Sequence, residues 1–182
     1  MIQTARLELR LPVAEEVPEV LRFYTDNREH LEPWSPDWPA AFYTADFWND
    51  QVEQRQLEFR AGLGARLFVF RRDRPDGVIG NLSLTQVTRG PLQQCFLGYA
   101  LAAEEQGQGY MLEAVRGGVR YAFEEMGLHR VVANHMPHNH RSARLLKQAG
   151  FETEGYSRAY LLIAGRWEDH VNTAIVNPNW KP

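Results

Sequence analysis

The chain has 182 residues, 44% of them hydrophobic and 24% charged, with a formal net charge of −3. This size and balance suit one globular domain with a real core. The slight acidity argues against a nucleic-acid surface, which needs a basic excess, but leaves room for a locally basic groove.

A single cysteine, Cys95, cannot form an internal disulfide, so no oxidising compartment is required. Met1 to Glu8 has no basic segment leading into an apolar run, so no signal peptide is expected. No stretch nears the roughly 18 apolar residues of a membrane span. A cytoplasmic protein is the expectation, one domain over 1–182, with no membrane contact and no direct nucleic-acid contact. Asn81-Leu82-Ser83 matches a glycosylation sequon and without secretion is read as chance.

Ile2 to Leu11 alternates apolar and polar residues, the period of a half-buried strand, and Pro12 ends it. Val17, Val20, Leu21 and Tyr24 recur at helical spacing, giving a helix from Glu15 to about Glu29. Leu31 to Pro39 holds Trp34, Trp38 and three prolines, which exclude a regular helix. Thr44 can cap a second helix running through Phe47, Val52 and Leu57 towards Gly62. Three strands follow, at Leu67–Phe70, Val78–Val87 and Gln94–Leu101, parted by turns at Pro75-Asp76-Gly77 and Arg89-Gly90-Pro91. Tyr110 to Met126 carries a stripe of Leu112, Val115, Val119 and Phe123 and stops at Gly127, a strong helix. A strand at Arg130–His135, a short helix at Ser142–Gln148 and a final hairpin over Phe151–Val176 complete the chain. The order β-αα-βββ-α-β-α-ββ predicts an α/β (or α+β) domain, a mixed sheet of about seven strands with about four helices on its faces.

Chemistry concentrates at two places. Gln106-Gly107-Gln108-Gly109-Tyr110 lies between an apolar strand and a long helix. Two glycines admit backbone angles other residues resist, and free N–H groups at a helix start suit a pyrophosphate. The same residues could also be a plain turn. No Lys-Ser or Lys-Thr follows a glycine, as a P-loop requires, and the dinucleotide fingerprint is missing. The second place is Asn139 to Phe151, where Asn139 can cap a short helix that ends at Ala149-Gly150-Phe151.

Gln-Gly-x-Gly after the fourth strand, with Asn139-x-x-Ser142 and Gly150-Phe151 after the fifth, resembles the GNAT superfamily of N-acetyltransferases. More narrowly, Ala133 to Asn139 with Arg141-Ser142, Glu154-Gly155-Tyr156, Tyr160 to Ile163 and Trp167-x-Asp169-His170-Val171 resemble the RimJ-type ribosomal-protein-alanine N-acetyltransferases. The likeness runs from Arg6 through Trp180. It implies a sheet splayed between strands four and five and a site for acetyl-CoA as co-substrate. Gln106, Gly107, Gln108, Gly109 and Tyr110 would hold the pyrophosphate through backbone N–H groups. Met111 stands where relatives carry glycine or alanine. Tyr99, Ala100 and Leu101 would lie along the pantetheine arm, as an exposed strand edge can, and Asn139 and Ser142 would contact the pantetheine or its sulfur end.

The resemblance further implies direct attack of an amine on the thioester. The acceptor it suggests is the N-terminal α-amine of a protein, a ribosomal protein beginning with alanine or serine. An α-amine with a pKa of about 7.7–8.0 is roughly a tenth neutral at pH 7 and needs only a modest base. A backbone N–H near Leu101 could hold the oxyanion. The tyrosine acid of many relatives is replaced by Leu146; the resemblance to a subgroup with a serine at the position of Ser142, and a carboxylate near that of Glu104 though not in strict register, makes Ser142 the candidate proton donor and Glu104 the candidate base. Either could equally be a contact or a solvated side chain. Trp34, Trp38, His135 and Tyr160 are candidates for the acceptor wall, with core packing as the plain alternative. His135, His138 and His140 cluster, but no cysteine or carboxylate sits at ligand spacing, so no metal is expected. A small-amine or antibiotic acetyltransferase, or a silent acyl-CoA-binding module, remains the alternative, as monomer or homodimer.

Overall fold

A computed structural model describes residues 1–181. One open sheet of eight strands runs in the order β1-β2-β3-β4-β5-β6-β8-β7, where seven were expected. The extra strand comes from the N-terminus. Thr4 N–H bonds Leu7 C=O at 3.0 Å, and this turn folds the expected single strand into β1 (Ile2–Gln3) and β2 (Leu7–Arg10), which pair with each other. The sheet continues through β3 (Ala65–Arg71), β4 (Arg74–Thr88), β5 (Gln94–Leu101), β6 (Arg130–His135), β7 (Glu152–Ile163) and β8 (Arg166–Val176).

The helices are likewise five rather than four. The first expected helix breaks at Asn27 into α1 (Val17–Asp26) and α2 (Arg28–Leu31), because the Asn27 side chain turns back to bond Phe23 C=O at 2.9 Å and competes with the backbone. Thr44 caps α3 (Ala45–Arg60), its hydroxyl accepting from Phe47 N–H. Asn139 caps α5 (His140–Ala149) by accepting from Ser142 N–H, and Gly150 closes it in the left-handed conformation. Both caps follow the sequence reading.

α4 (Tyr110–Glu124) is where expected, but its core face is rotated. Met111, Ala114, Val115, Gly118, Val119 and Ala122 are buried, while Leu112 and Phe123 are only partly so. A Cβ on Gly118 would sit 3.0 Å from Leu82, so the small residues let the helix lie close on β4. Apolar bulk pointed to the wrong face because close approach selects small side chains.

Two cores cover the two faces of the sheet. Leu9, Val69, Leu82, Leu84 and Leu97 pack with Ala114, Val115 and Leu146 of α4 and α5. On the other face, Phe68 and Phe70 pack with Val20, Tyr24, Trp48 and Val52 of α1 and α3. β5 and β6 are the parallel pair, matched at Gln94–Arg130, Cys95–Val131 and Phe96–Val132. Pairing stops there, although β5 continues to Leu101 and β6 to His135. The sheet is therefore split at its middle, and α4 and α5 both begin beside the gap.

Candidate active site

The loop that opens α4 is built for close approach. Gly107 and Gly109 have φ of +77° and +78°, a region costing other residues about 1–2 kcal/mol. A Cβ on Gly107 would meet nothing within 4 Å, so this side of the loop is open. Glu113 N–H bonds Gly109 C=O at 3.1 Å as the first bond of the helix. The N–H groups of Tyr110, Met111 and Leu112 before it are left without helical acceptors. Together with the helix dipole they form an anion seat. The Met111 side chain is buried in the core, so what it offers the open side of the loop is its N–H.

The loop is clamped from behind. Arg6 donates to Gln108 C=O at 3.0 Å and to Glu113 at 2.6 Å, and its guanidinium lies 4.5 Å over the Tyr110 ring. Burial alone would raise the Glu113 carboxyl, yet hydrogen bonds from the Thr4 hydroxyl and from the backbone and side chain of Arg6 outweigh it and hold it below its usual range. Glu105 is 3% exposed and accepts from Arg74 at 2.6 Å and Arg71 at 3.4 Å. Asn27 accepts from Ala103 N–H at 2.8 Å. The Gln106 amide bridges two helices, donating to the His30 ring at 2.7 Å and accepting from Arg141 at 2.6 Å. The sequence reading missed these supports, since each joins residues distant in the chain.

The split exposes a strand edge. Ala102 N–H bonds Ile79 C=O at 2.8 Å, and strand alternation then turns the N–H groups of Leu101 and Tyr99 away from β4, into the gap. Ala100 instead directs its backbone to β4 and lends the site its methyl group. In the same gap, Tyr99 Oη and Ser142 Oγ are 2.7 Å apart. Burial pushes the Tyr99 phenol up to about 12, against the smaller opposing effect of the Ser142 hydrogen bond. Leu146, in the place of the expected tyrosine, is a core residue. A tyrosine hydroxyl thus reaches Ser142 from β5, which the reading of Tyr99 as a mere strand-edge contact did not foresee.

On the opposite face of β5 lies a cavity of about 290 Å³, lined by Gly98, Tyr99 and Ala100 together with Tyr24, Trp38, Arg55, Arg66, Asn81 and others. Of the four candidate acceptor residues, Trp38 alone lines it. Trp38 also stacks on Phe42 at 4.6 Å, so wall and core are one role here. Trp34 is exposed beside His138, with ring centroids 5.6 Å apart. His135 is buried and bonded to Met136 C=O, and Tyr160 rests near the His170 ring. None of these three lines the cavity. Glu104 is exposed on the turn before the glycine loop. No group of three or more His, Cys, Asp or Glu side chains among the described residues is placed to hold a metal ion, and none of the helices described is long and apolar enough to cross a membrane.

Comparison with known proteins fits this architecture. The acetyltransferase (GNAT) domain family matches residues 6–152. The ribosomal protein uS5-alanine N-acetyltransferase of Escherichia coli is 36% identical over 181 residues, covering 100% of this chain and 93% of that one. The crystal structure of the ribosomal-protein-S5-alanine acetyltransferase of Vibrio fischeri superposes with a TM-score of 0.93 at 33% identity, covering 99% and 98% of the two chains. Mycobacterium smegmatis RimJ, solved in complex with CoA-disulfide, gives 0.86 at 28% identity, covering 97% and 84%.

Proposed function

The chain belongs to the GNAT acetyltransferases, and from that membership we propose that it moves the acetyl group of acetyl-CoA onto the N-terminal α-amine of a protein. A ribosomal protein beginning with alanine or serine is the acceptor this reading favours, and the names of two relatives specify alanine. Its workplace is then the cytoplasm.

One observation carries the reading: β5 from Gly98 to Ala100 borders both the gap and the cavity. A thioester held along the gap would meet an amine entering from the other face. The residues fit the co-substrate. Gln106, Gly107, Gln108, Gly109, Tyr110 and Met111 offer backbone N–H groups to its phosphates, and Tyr99 and Leu101 offer theirs to the extended amide arm. Bound there, acetyl-CoA supplies the activated acyl group.

The chain's own residues act on protons and charge. Leu101 N–H faces the gap, where an oxyanion would form. The Tyr99–Ser142 pair directs a hydroxyl hydrogen at the leaving sulfur. A phenol near 12 is too weak an acid to protonate a thiolate of pKa about 8.5 completely, so the pair stabilises the developing charge by hydrogen bonding. Glu104, free and exposed, is the carboxylate proposed to accept the amine's proton through water. An α-amine, already about a tenth neutral, asks little of it.

The test is acetyl-CoA-dependent thiol release with peptides bearing alanine or serine N-termini, the same peptides with blocked N-termini, and polyamines. Release only with free peptide N-termini is the expected result. Release with polyamines alone would move the enzyme to small-molecule acceptors. Binding of acetyl-CoA without turnover of any acceptor would favour a silent module.

A further inference from the structure

The cavity wall carries a charge the mechanism does not use. Arg55, on α3, has its Nε buried and unpartnered, and it forms no salt bridge among the described residues. Its guanidinium instead lies 5.0 Å from the Trp48 ring centroid and 5.1 Å from that of Phe68. Ring faces attract a cation but accept few of its hydrogen bonds. Beside it, Arg66 Nε donates to the Glu58 carboxylate at 3.0 Å, which neutralises the second arginine of the wall. Asn81 donates to Tyr24 Oη at 3.1 Å, and burial keeps the Tyr24 phenol protonated. Neither Asn81 nor Tyr24 brings negative charge. Burial also pulls the Arg55 guanidinium below its ordinary value, an effect that Arg66 adds to and that Tyr24 and, last, Glu58 offset in part.

A cation whose Nε is buried and unpartnered, with no carboxylate bonded to it, is costly to the folded protein. Its cavity is lined in part by Gly98–Ala100, beside the place proposed for amine attack. We infer that Arg55 receives a carboxylate of the acceptor itself, an acidic side chain a few residues after the reacting N-terminus. The inference rests on the acceptor-side reading above and narrows it to acceptors with an acidic group near the amine. A planar guanidinium matches a carboxylate with two parallel hydrogen bonds, and the flanking rings exclude the water that would weaken them. Arg55 is a specificity residue in this account; it leaves acetyl-CoA binding alone.

The experiment scans peptides that begin with alanine and carry either glutamate or glutamine at the second, third or fourth position. kcat/KM is measured by thiol release and affinity by calorimetry, for the wild type, Arg55→Gln and Arg55→Lys. The wild type should prefer glutamate over glutamine by roughly 10-fold or more at one position, the scale of a charge-assisted hydrogen bond. That ratio should fall to about one in Arg55→Gln and survive in part in Arg55→Lys, with acetyl-CoA affinity unchanged in both. Equal use of the two peptides by the wild type would overturn the inference, even if neither variant folds. A preference that persists in Arg55→Gln would overturn it as well.

If no peptide turns over, the protein-directed reading fails, and calorimetry still decides the carboxylate question. Glutamate peptides that bind no tighter than glutamine peptides would end it. A last arm offers free glutamate and glutamine as acceptors. Arg55-dependent preference for glutamate there, without peptide turnover, would identify a small amino acid as the carboxylate's source.

Discussion

Replacing Gly107 with alanine separates the strain of the glycine loop from its use. The substitution places a Cβ on a backbone with φ of +77°, a cost of about 1–2 kcal/mol to the fold. For a chain of 182 residues, each kcal/mol lowers Tm by roughly 2–4 °C. The control lies at the other end of the same helix. Gly127 has φ of +63°, and a Cβ there also meets nothing within 4 Å. The 15 residues of α4 hold it about 22 Å from the loop. Gly127→Ala should therefore cost the same stability and leave ligand binding intact. In Gly107→Ala the methyl group occupies the open side of the loop, where a phosphate would approach. Losing one hydrogen bond to a charged oxygen costs about 1.5–3 kcal/mol, which is roughly 10- to 100-fold in Kd. Calorimetric titration with acetyl-CoA and thermal melts of both variants give the comparison. Equal Kd values in the two variants would refute the assignment of the loop to phosphate binding.

Ser142→Ala and Tyr99→Phe each remove one end of the 2.7 Å contact, so each should lower kcat/KM by about tenfold, and the double variant should be no worse than either. Multiplying losses in a double-mutant cycle would show that the hydroxyls act separately. Glu104→Gln should reduce kcat/KM only a few-fold, because the group is exposed and water can replace it; a loss beyond 100-fold would make it an obligatory base. The carboxyl of Glu113 is held below its ordinary 4.5. Its stabilisation is therefore complete above that value and is lost as pH falls through the folded one. Glu113→Gln should cost about 2 kcal/mol at pH 7 in urea melts, with the gap closing as pH falls through the depressed folded value; a gap independent of pH would discount the charge.

Much of the fold was legible because it is written locally. Thr44 and Asn139 announce their helices by caps, and Gly107 and Gly109 mark a turn that bulkier residues would strain. The departures arise where one side chain rewires the backbone, as at Thr4 and Asn27, or where small residues set the contact, as at Gly118. The site divides along the same line. The glycine loop is a contiguous motif and could be read in order. The cavity proposed for the acceptor draws residues from α1, α2, α3, β3, β4, β5 and the segment that carries Trp38, and no spacing in the chain relates Tyr24 to Asn81 or Arg55 to Ala100. Arg55 in particular sits on a polar helix, where an arginine ordinarily faces water. That its Nε is instead buried among rings follows from how α3 lies on the sheet.

The bridging amide of Gln106 has a consequence for how the two substrates meet. It ties the glycine loop to α2 through His30 and to α5 through Arg141, and α2 leads directly into the segment that carries Trp38. A ligand that orders the loop should then also stiffen one wall of the cavity proposed for the acceptor, and reciprocity requires the reverse. The two halves of the enzyme are thermodynamic neighbours, so occupancy of one should sharpen affinity in the other.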